Sequence, residues 1–168
     1  MTSSTASSSP ETSDLPPLPP GLRRAALRCR PACSRGAAAP PPVQVPLGRF
    51  FYVRRQTLSH LPAYLQEIMD RLSDGMTEPR MTYHAGPLLP GEIFTHTQWH
   101  CDGKQTGGET HRLIHWGGMP TMGYPNLLLA PGIVWEYNGY FIHRALPTEA
   151  PTFRVLLRAS QTTLPFRG

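Results

Sequence analysis

The chain has 168 residues, enough for one domain with its own core, and a formal charge of +5 at neutral pH. The charge is uneven: residues 1–47 hold Arg23, Arg24, Arg28, Arg30 and Arg35 against Glu11 and Asp14, a net of +3, so the body is only mildly basic and argues little for a nucleic-acid partner. Three cysteines, Cys29, Cys33 and Cys101, exclude a disulfide framework and suggest a reducing, cytoplasmic setting, and no apolar run approaches the roughly 18 residues of a membrane span.

Residues 1–47 read as a disordered tail. They are rich in Ser, Pro, Ala and Arg and hold half of the 20 prolines, a composition that cannot bury enough apolar surface to offset chain entropy. The segment Leu15-Pro16-Pro17-Leu18-Pro19-Pro20 has the look of a linker more than of a polyproline ligand. Cys29 and Cys33 lack the second ligand pair of a structural zinc site. No continuous apolar core marks a secretory signal, and an organelle transit peptide is the lesser reading, because Glu11 and Asp14 count against it.

The ordered domain is expected over 48–168. Arg49–Val53 is aromatic and β-branched, a strand candidate. Leu58, Leu61, Leu65, Ile68, Met69 and Leu72 then recur at helical spacing, which predicts one amphipathic helix, with Thr57 or Ser59 as cap, Pro62 in its first turn and Gly75 at its end. After Pro79 short strands alternate with Gly- and Pro-rich breaks: Met81–His84, Glu92–Cys101, Arg112–Trp116, Asn126–Leu129, Ile133–Tyr137, Tyr140–Arg144 and Phe153–Ala159. Asn138-Gly139 between two such runs predicts a hairpin that delivers His143. Gly103–Thr110 reads as a loop at the mouth of a site. The fold class is mostly β, a sandwich or small barrel.

The chemistry concentrates in two stretches. On a strand, residues i and i+2 share a side, so His100 and Asp102 can hold one metal while Cys101 points away. His143 on another strand supplies a third ligand. Two histidines and one carboxylate with other positions open is the ligand set of non-haem Fe(II) oxygenases. Arg154, one strand later, can grip a carboxylate in a bidentate fork. Arg158 shares its strand parity and is the alternative. His96 shares the face of His100 and reads as packing or surface. His111 and His115 read as structural or rim residues, and Trp99, Trp116 and Trp135 as core aromatics. Tyr83, Thr95, Thr97 and Tyr137 are candidate hydrogen-bond donors to a bound acid.

The run Pro131-Gly132-Ile133-Val134-Trp135-Glu136-Tyr137-Asn138-Gly139-Tyr140-Phe141-Ile142-His143-Arg144, with the upstream His100-Cys101-Asp102 and the ten-residue gap from His143 to Arg154, resembles the Fe(II)/2-oxoglutarate-dependent dioxygenases over roughly residues 80–163. The resemblance implies a double-stranded β-helix, or jelly roll, with one flanking helix. It implies Fe(II) on His100, Asp102 and His143, and 2-oxoglutarate held at its far carboxylate by Arg154, with Arg158 the second candidate in an Arg158-Ala159-Ser160 arrangement. It further implies oxidation of a substrate C–H bond with release of succinate and carbon dioxide, ascorbate being a candidate reductant. A carboxylate at 102 favours a hydroxylase over a halogenase. The substrate, small or macromolecular, is not specified. A cupin-like metal protein, which would not need Arg154, and a non-catalytic jelly-roll interaction module are the competing readings.

Overall fold

The computed structural model describes residues 29–31, 45–53, 58–93, 98–102, 109–118 and 121–161. In chain order the elements are β1 (Cys29–Pro31), β2 (Gly48–Val53), α1 (Ala63–Ser73), β3 (Arg80–Leu88), β4 (His100–Cys101), β5 (Thr110–Trp116), β6 (Thr121–Gly123), β7 (Leu127–Leu129), β8 (Trp135–Asn138), β9 (Ile142–Arg144) and β10 (Thr152–Gln161). The strands form two antiparallel sheets, a larger one ordered β1-β8-β5-β10-β3-β2 and a smaller one ordered β4-β9-β6-β7.

The helix follows from its apolar stripe. Leu65, Met69 and Leu72 are buried, while Glu67 and Arg71 pair on the exposed side. Pro62 sits just before the first turn, and among the described residues no side chain caps the helix, Ser59 included; Thr57 lies outside them. Asp74 closes α1, and Gly75 follows in the left-handed region at φ 72°.

Strand alternation then fixes two cores. On β10, Val155, Leu157 and Ala159 join Met81, Tyr83 and Ala85 of β3 and Ile114 and Trp116 of β5 under α1. The opposite face of β10 carries Arg154, Leu156, Arg158 and Ser160. It meets the smaller sheet across a second cluster of Leu113, Leu129, Trp135, Tyr137, Phe141 and Leu156. Fully burying such side chains is worth about 1.5–3 kcal/mol each, so the two clusters hold helix, large sheet and small sheet in three layers.

Two glycines are required by close approach. Gly117 lies at φ 72°, and a Cβ there would stand 2.0 Å from the Phe153 carbonyl oxygen. A Cβ on Gly123 would fall 2.4 Å from the Phe141 ring, so only glycine lets that ring lie across β6.

Several expectations change. Of the strand expected over Glu92–Cys101, the described residues form strand only at His100–Cys101; Phe94, Thr95, His96 and Thr97 lie outside them. β6 was not anticipated, because the Gly- and Pro-rich run around it reads as loop. The Asn138-Gly139 hairpin is not one: β8 belongs to the large sheet and β9 to the small one. The turn exists, with Phe141 N–H donating to the Asn138 carbonyl at 3.0 Å and Tyr140 N–H to the Asn138 side chain at 3.2 Å. Gly139, however, is not among the glycines at positive φ, so the twist that joins two paired strands is missing and the strands diverge. Within 1–47, Cys29–Pro31 pairs with β8 as an edge strand, and Val45 is buried against the α1 core; of the other tail residues only Pro46 and Leu47 are described.

Candidate metal centre

The smaller sheet brings His100 and His143 face to face. They are direct register partners on β4 and β9, with ring centroids 4.5 Å apart. Asp102 follows β4 immediately. One ligand atom from each of His100, Asp102 and His143 lies within 4.8 Å of the others, a grouping able to hold a metal ion. His100 and Asp102 thus lie together, as the i/i+2 spacing leads one to expect, although the strand ends between them.

Local backbone fixes both imidazoles. His100 Nδ1 lies 2.9 Å from the Gln98 carbonyl and His143 Nδ1 lies 3.1 Å from the Phe141 carbonyl. A carbonyl only accepts, so both Nδ1 atoms carry a proton and Nε2 is the atom left to face a metal, the arrangement of a metal-ligating histidine with its outer partner in place. Phe141 also stacks on His143 at 5.4 Å and 14°, where the missing side chain of Gly123 makes room for it.

Asp102 is held from the large sheet. Tyr137 Oη donates to its Oδ2 at 2.7 Å, Arg158 pairs with the same oxygen, and His143 Nε2 lies 3.4 Å away. Burial alone would raise the Asp102 carboxyl, but the Arg158 charge, then His143 and His111, hold it well below the usual carboxylate range. The Tyr137 phenol is pushed well above its ordinary value, chiefly by burial and then by the Asp102 charge, so it stays a donor. Burial and the same carboxylate push the Cys101 thiol up to about 11. Cys101 pairs with Ile142 on the face away from the ligands, as expected.

Arg154 lies apart from this group. It is only 2% exposed, and its Nη2 donates to Thr121 Oγ1 at 3.2 Å. Among the described residues no carboxylate pairs with it, and its Nε–H has no acceptor. Burial lowers it to about 10, so it remains a cation at neutral pH. A buried guanidinium facing one neutral hydroxyl is expensive, and an arriving anion would satisfy it.

The two arginines thus share a face, as their parity requires, yet bond differently: Arg158 pairs with the Asp102 carboxylate, while Arg154 donates to the Thr121 hydroxyl. Tyr137 belongs to the site. Tyr83 does not, because it packs under α1 and bonds the Pro46 carbonyl. His111 and His115 are buried, at 2% and 0% exposure, and line the large sheet's inner face, not a rim. Trp116 and Trp135 are core residues, while Trp99 is half-buried with Arg144 over its ring at 4.6 Å. Thr121 escaped sequence reasoning because nothing marks β6 as a strand. Of the expected loop Gly103–Thr110, only Glu109 and Thr110 are described; Glu109 is buried and Thr110 opens β5.

Compared with protein-family models, with curated proteins and with solved structures, the chain matches none. Among the described residues no helix is long and apolar enough to cross a membrane.

Proposed function

We propose that the protein is an Fe(II)- and 2-oxoglutarate-dependent dioxygenase that oxidises a C–H bond of its substrate. One observation carries this reading: the His100–Asp102–His143 cluster opens onto the sheet face that bears Arg154, a buried cation with no anionic partner among the described residues. Metal ligands and a separate carboxylate seat are what a chelating keto acid requires. The strand course supports the same reading. From β3 to β10 the chain runs large, small, large, small, small, large, small, large between the sheets, the course of a double-stranded β-helix.

The residues fit the groups that this chemistry needs. His100, Asp102 and His143 would hold the iron, which supplies dioxygen activation when bound. The backbone carbonyls of Gln98 and Phe141 keep both imidazoles in the ligating tautomer. Arg158 and Tyr137 keep Asp102 ionised and oriented. Arg154 and Thr121 would take the far carboxylate of 2-oxoglutarate. Phe141 and the second core exclude water behind His143.

The test is an anaerobic titration of the metal-free protein with Fe(II) and then 2-oxoglutarate, read by the visible metal-to-ligand charge-transfer band. The expected band disappears in His143→Ala and weakens in Arg154→Ala. Metal binding without a band would support the cupin-like reading instead. The interaction-module reading draws on one fact, that Arg158 and Tyr137 both bond the Asp102 carboxylate. It predicts no stoichiometric metal at all.

A further inference from the structure

His115 is fully buried on β5, and its Nε2–H donates to the Leu129 carbonyl at 2.8 Å. That bond leaves the lone pair on Nδ1, which is buried and has no hydrogen-bond partner among the described residues. A lone pair so placed is costly unless something meets it.

The register shows what lies beside it. His115 is the direct partner of Leu156 on β10, so Arg154, two residues away on the same face, is its diagonal neighbour. Diagonal pairs stand about 7–8 Å apart at Cα, within reach of a long side chain. Both reach the small sheet, His115 at β7 and Arg154 at β6. This face therefore offers an unmet donor on Arg154 Nε and an unmet acceptor on His115 Nδ1. A bare carboxylate would satisfy the first and oppose the second. A carboxylate arriving with a proton on His115 would satisfy both.

We propose that His115 is a second co-substrate-binding residue: when the far carboxylate of 2-oxoglutarate docks on Arg154, His115 Nδ1 takes one proton from solvent and donates it as a hydrogen bond to that carboxylate. The inference rests on the 2-oxoglutarate reading above. One N–H bond forms, one proton leaves the solvent, and no electrons move.

The surrounding charges agree. Burial and then the Arg154 charge lower His115 to about 4, against a smaller upward effect of the Leu129 bond, so it is neutral at neutral pH. On the same face lie His111 from its own strand, Arg158 from β10, His84 from β3 and Tyr137 from β8. The small sheet brings His100 and His143, with Asp102 beyond β4, while β6 and β7 carry no ionisable side chain. Of these, only the Arg154 charge bears on His115. A bound carboxylate would offset that charge, and an opposite charge at contact raises a histidine by about 1–3 pH units. Binding should then strengthen as pH falls from neutrality toward about 5, by at most about tenfold per pH unit.

The test is calorimetry of 2-oxoglutarate binding to the Mn(II)-loaded protein at mildly acidic pH, in two buffers of different ionisation enthalpy. Wild type should take up close to one proton per bound 2-oxoglutarate. His115→Asn, whose amide cannot titrate, should bind without that uptake and with an affinity that no longer follows pH. The metal-site histidines contribute alike to both proteins, so the difference belongs to His115. Should His115→Asn not fold, heteronuclear NMR of the wild-type imidazoles with Zn(II) bound reads the same event: Nδ1 should gain a proton only when 2-oxoglutarate is added. If wild type binds 2-oxoglutarate, loses it in Arg154→Ala and takes up no proton, His115 is only a core residue and the inference is overturned while the dioxygenase reading stands. If wild type binds no 2-oxoglutarate, both are overturned.

Discussion

Replacing Arg154 by methionine should make the ligand-free protein more stable while removing its hold on a dicarboxylate. Arg154 is 2% exposed and lowered by burial to about 10. The ordinary arginine value is about 12.5, and each pH unit corresponds to about 1.4 kcal/mol, so its charged form destabilises the empty fold by on the order of 3 kcal/mol. The sign is that of a base lowered on folding. The penalty is present at every pH below about 10 and fades only above it. Methionine fills similar volume without charge. Losing the Thr121 hydrogen bond returns about 1 kcal/mol, which leaves a net gain of about 1–2 kcal/mol. For a chain of this size that is a rise in melting temperature of about 2–8 °C. The assay is thermal denaturation of metal-free protein, paired with 2-oxoglutarate titration of the metal-loaded form. A variant that melts lower than wild type by a comparable margin would show that Arg154 is a structural residue with partners of its own, and would refute the anion-seat argument.

Three further outcomes follow from the same geometry. Arg158→Met leaves the buried Asp102 charge without its main cation and should destabilise the fold by about 3 kcal/mol near neutral pH in chemical denaturation. Asp102 is lowered on folding, so its contribution is present above its ordinary value near 3.8 and lost as pH falls through the folded value; the gap between wild type and Arg158→Met should therefore close in strong acid. Gly117→Ala places a Cβ on the Phe153 carbonyl at a positive φ, and soluble yield and melting temperature should both drop sharply, by well over the roughly 1 kcal/mol that a left-handed alanine costs without a clash. Leu65→Ala empties a fully buried position under α1 and should lower stability by about 2–5 kcal/mol in denaturant titration, while Mn(II) affinity of the folded protein stays unchanged, because the ligands lie on the other side of the large sheet.

The sequence by itself determined the parts that depend on near neighbours. Helical spacing of leucines set α1. The two-residue period placed His100 with Asp102, and Arg154 with Arg158, on common faces. Those signals are local because side-chain direction repeats with the backbone. What the tertiary structure decided depends on partners distant in the chain. Asn138-Gly139 has the composition of a hairpin, yet its backbone sends β8 and β9 into different sheets. Thr121 carries no mark in a Gly- and Pro-rich run, and becomes an Arg154 partner only because β6 is laid beside β9. Arg154 and Arg158 are equivalent by parity; the Asp102 carboxylate, more than fifty residues upstream, separates them by satisfying one and leaving the other. His115 reads as a structural or rim residue in one dimension, and only the fold buries it beside the Arg154 guanidinium with its Nδ1 unmet among the described residues. Charge and hydrogen-bond satisfaction are properties of an enclosed volume, and that volume exists only once the two sheets have closed over it.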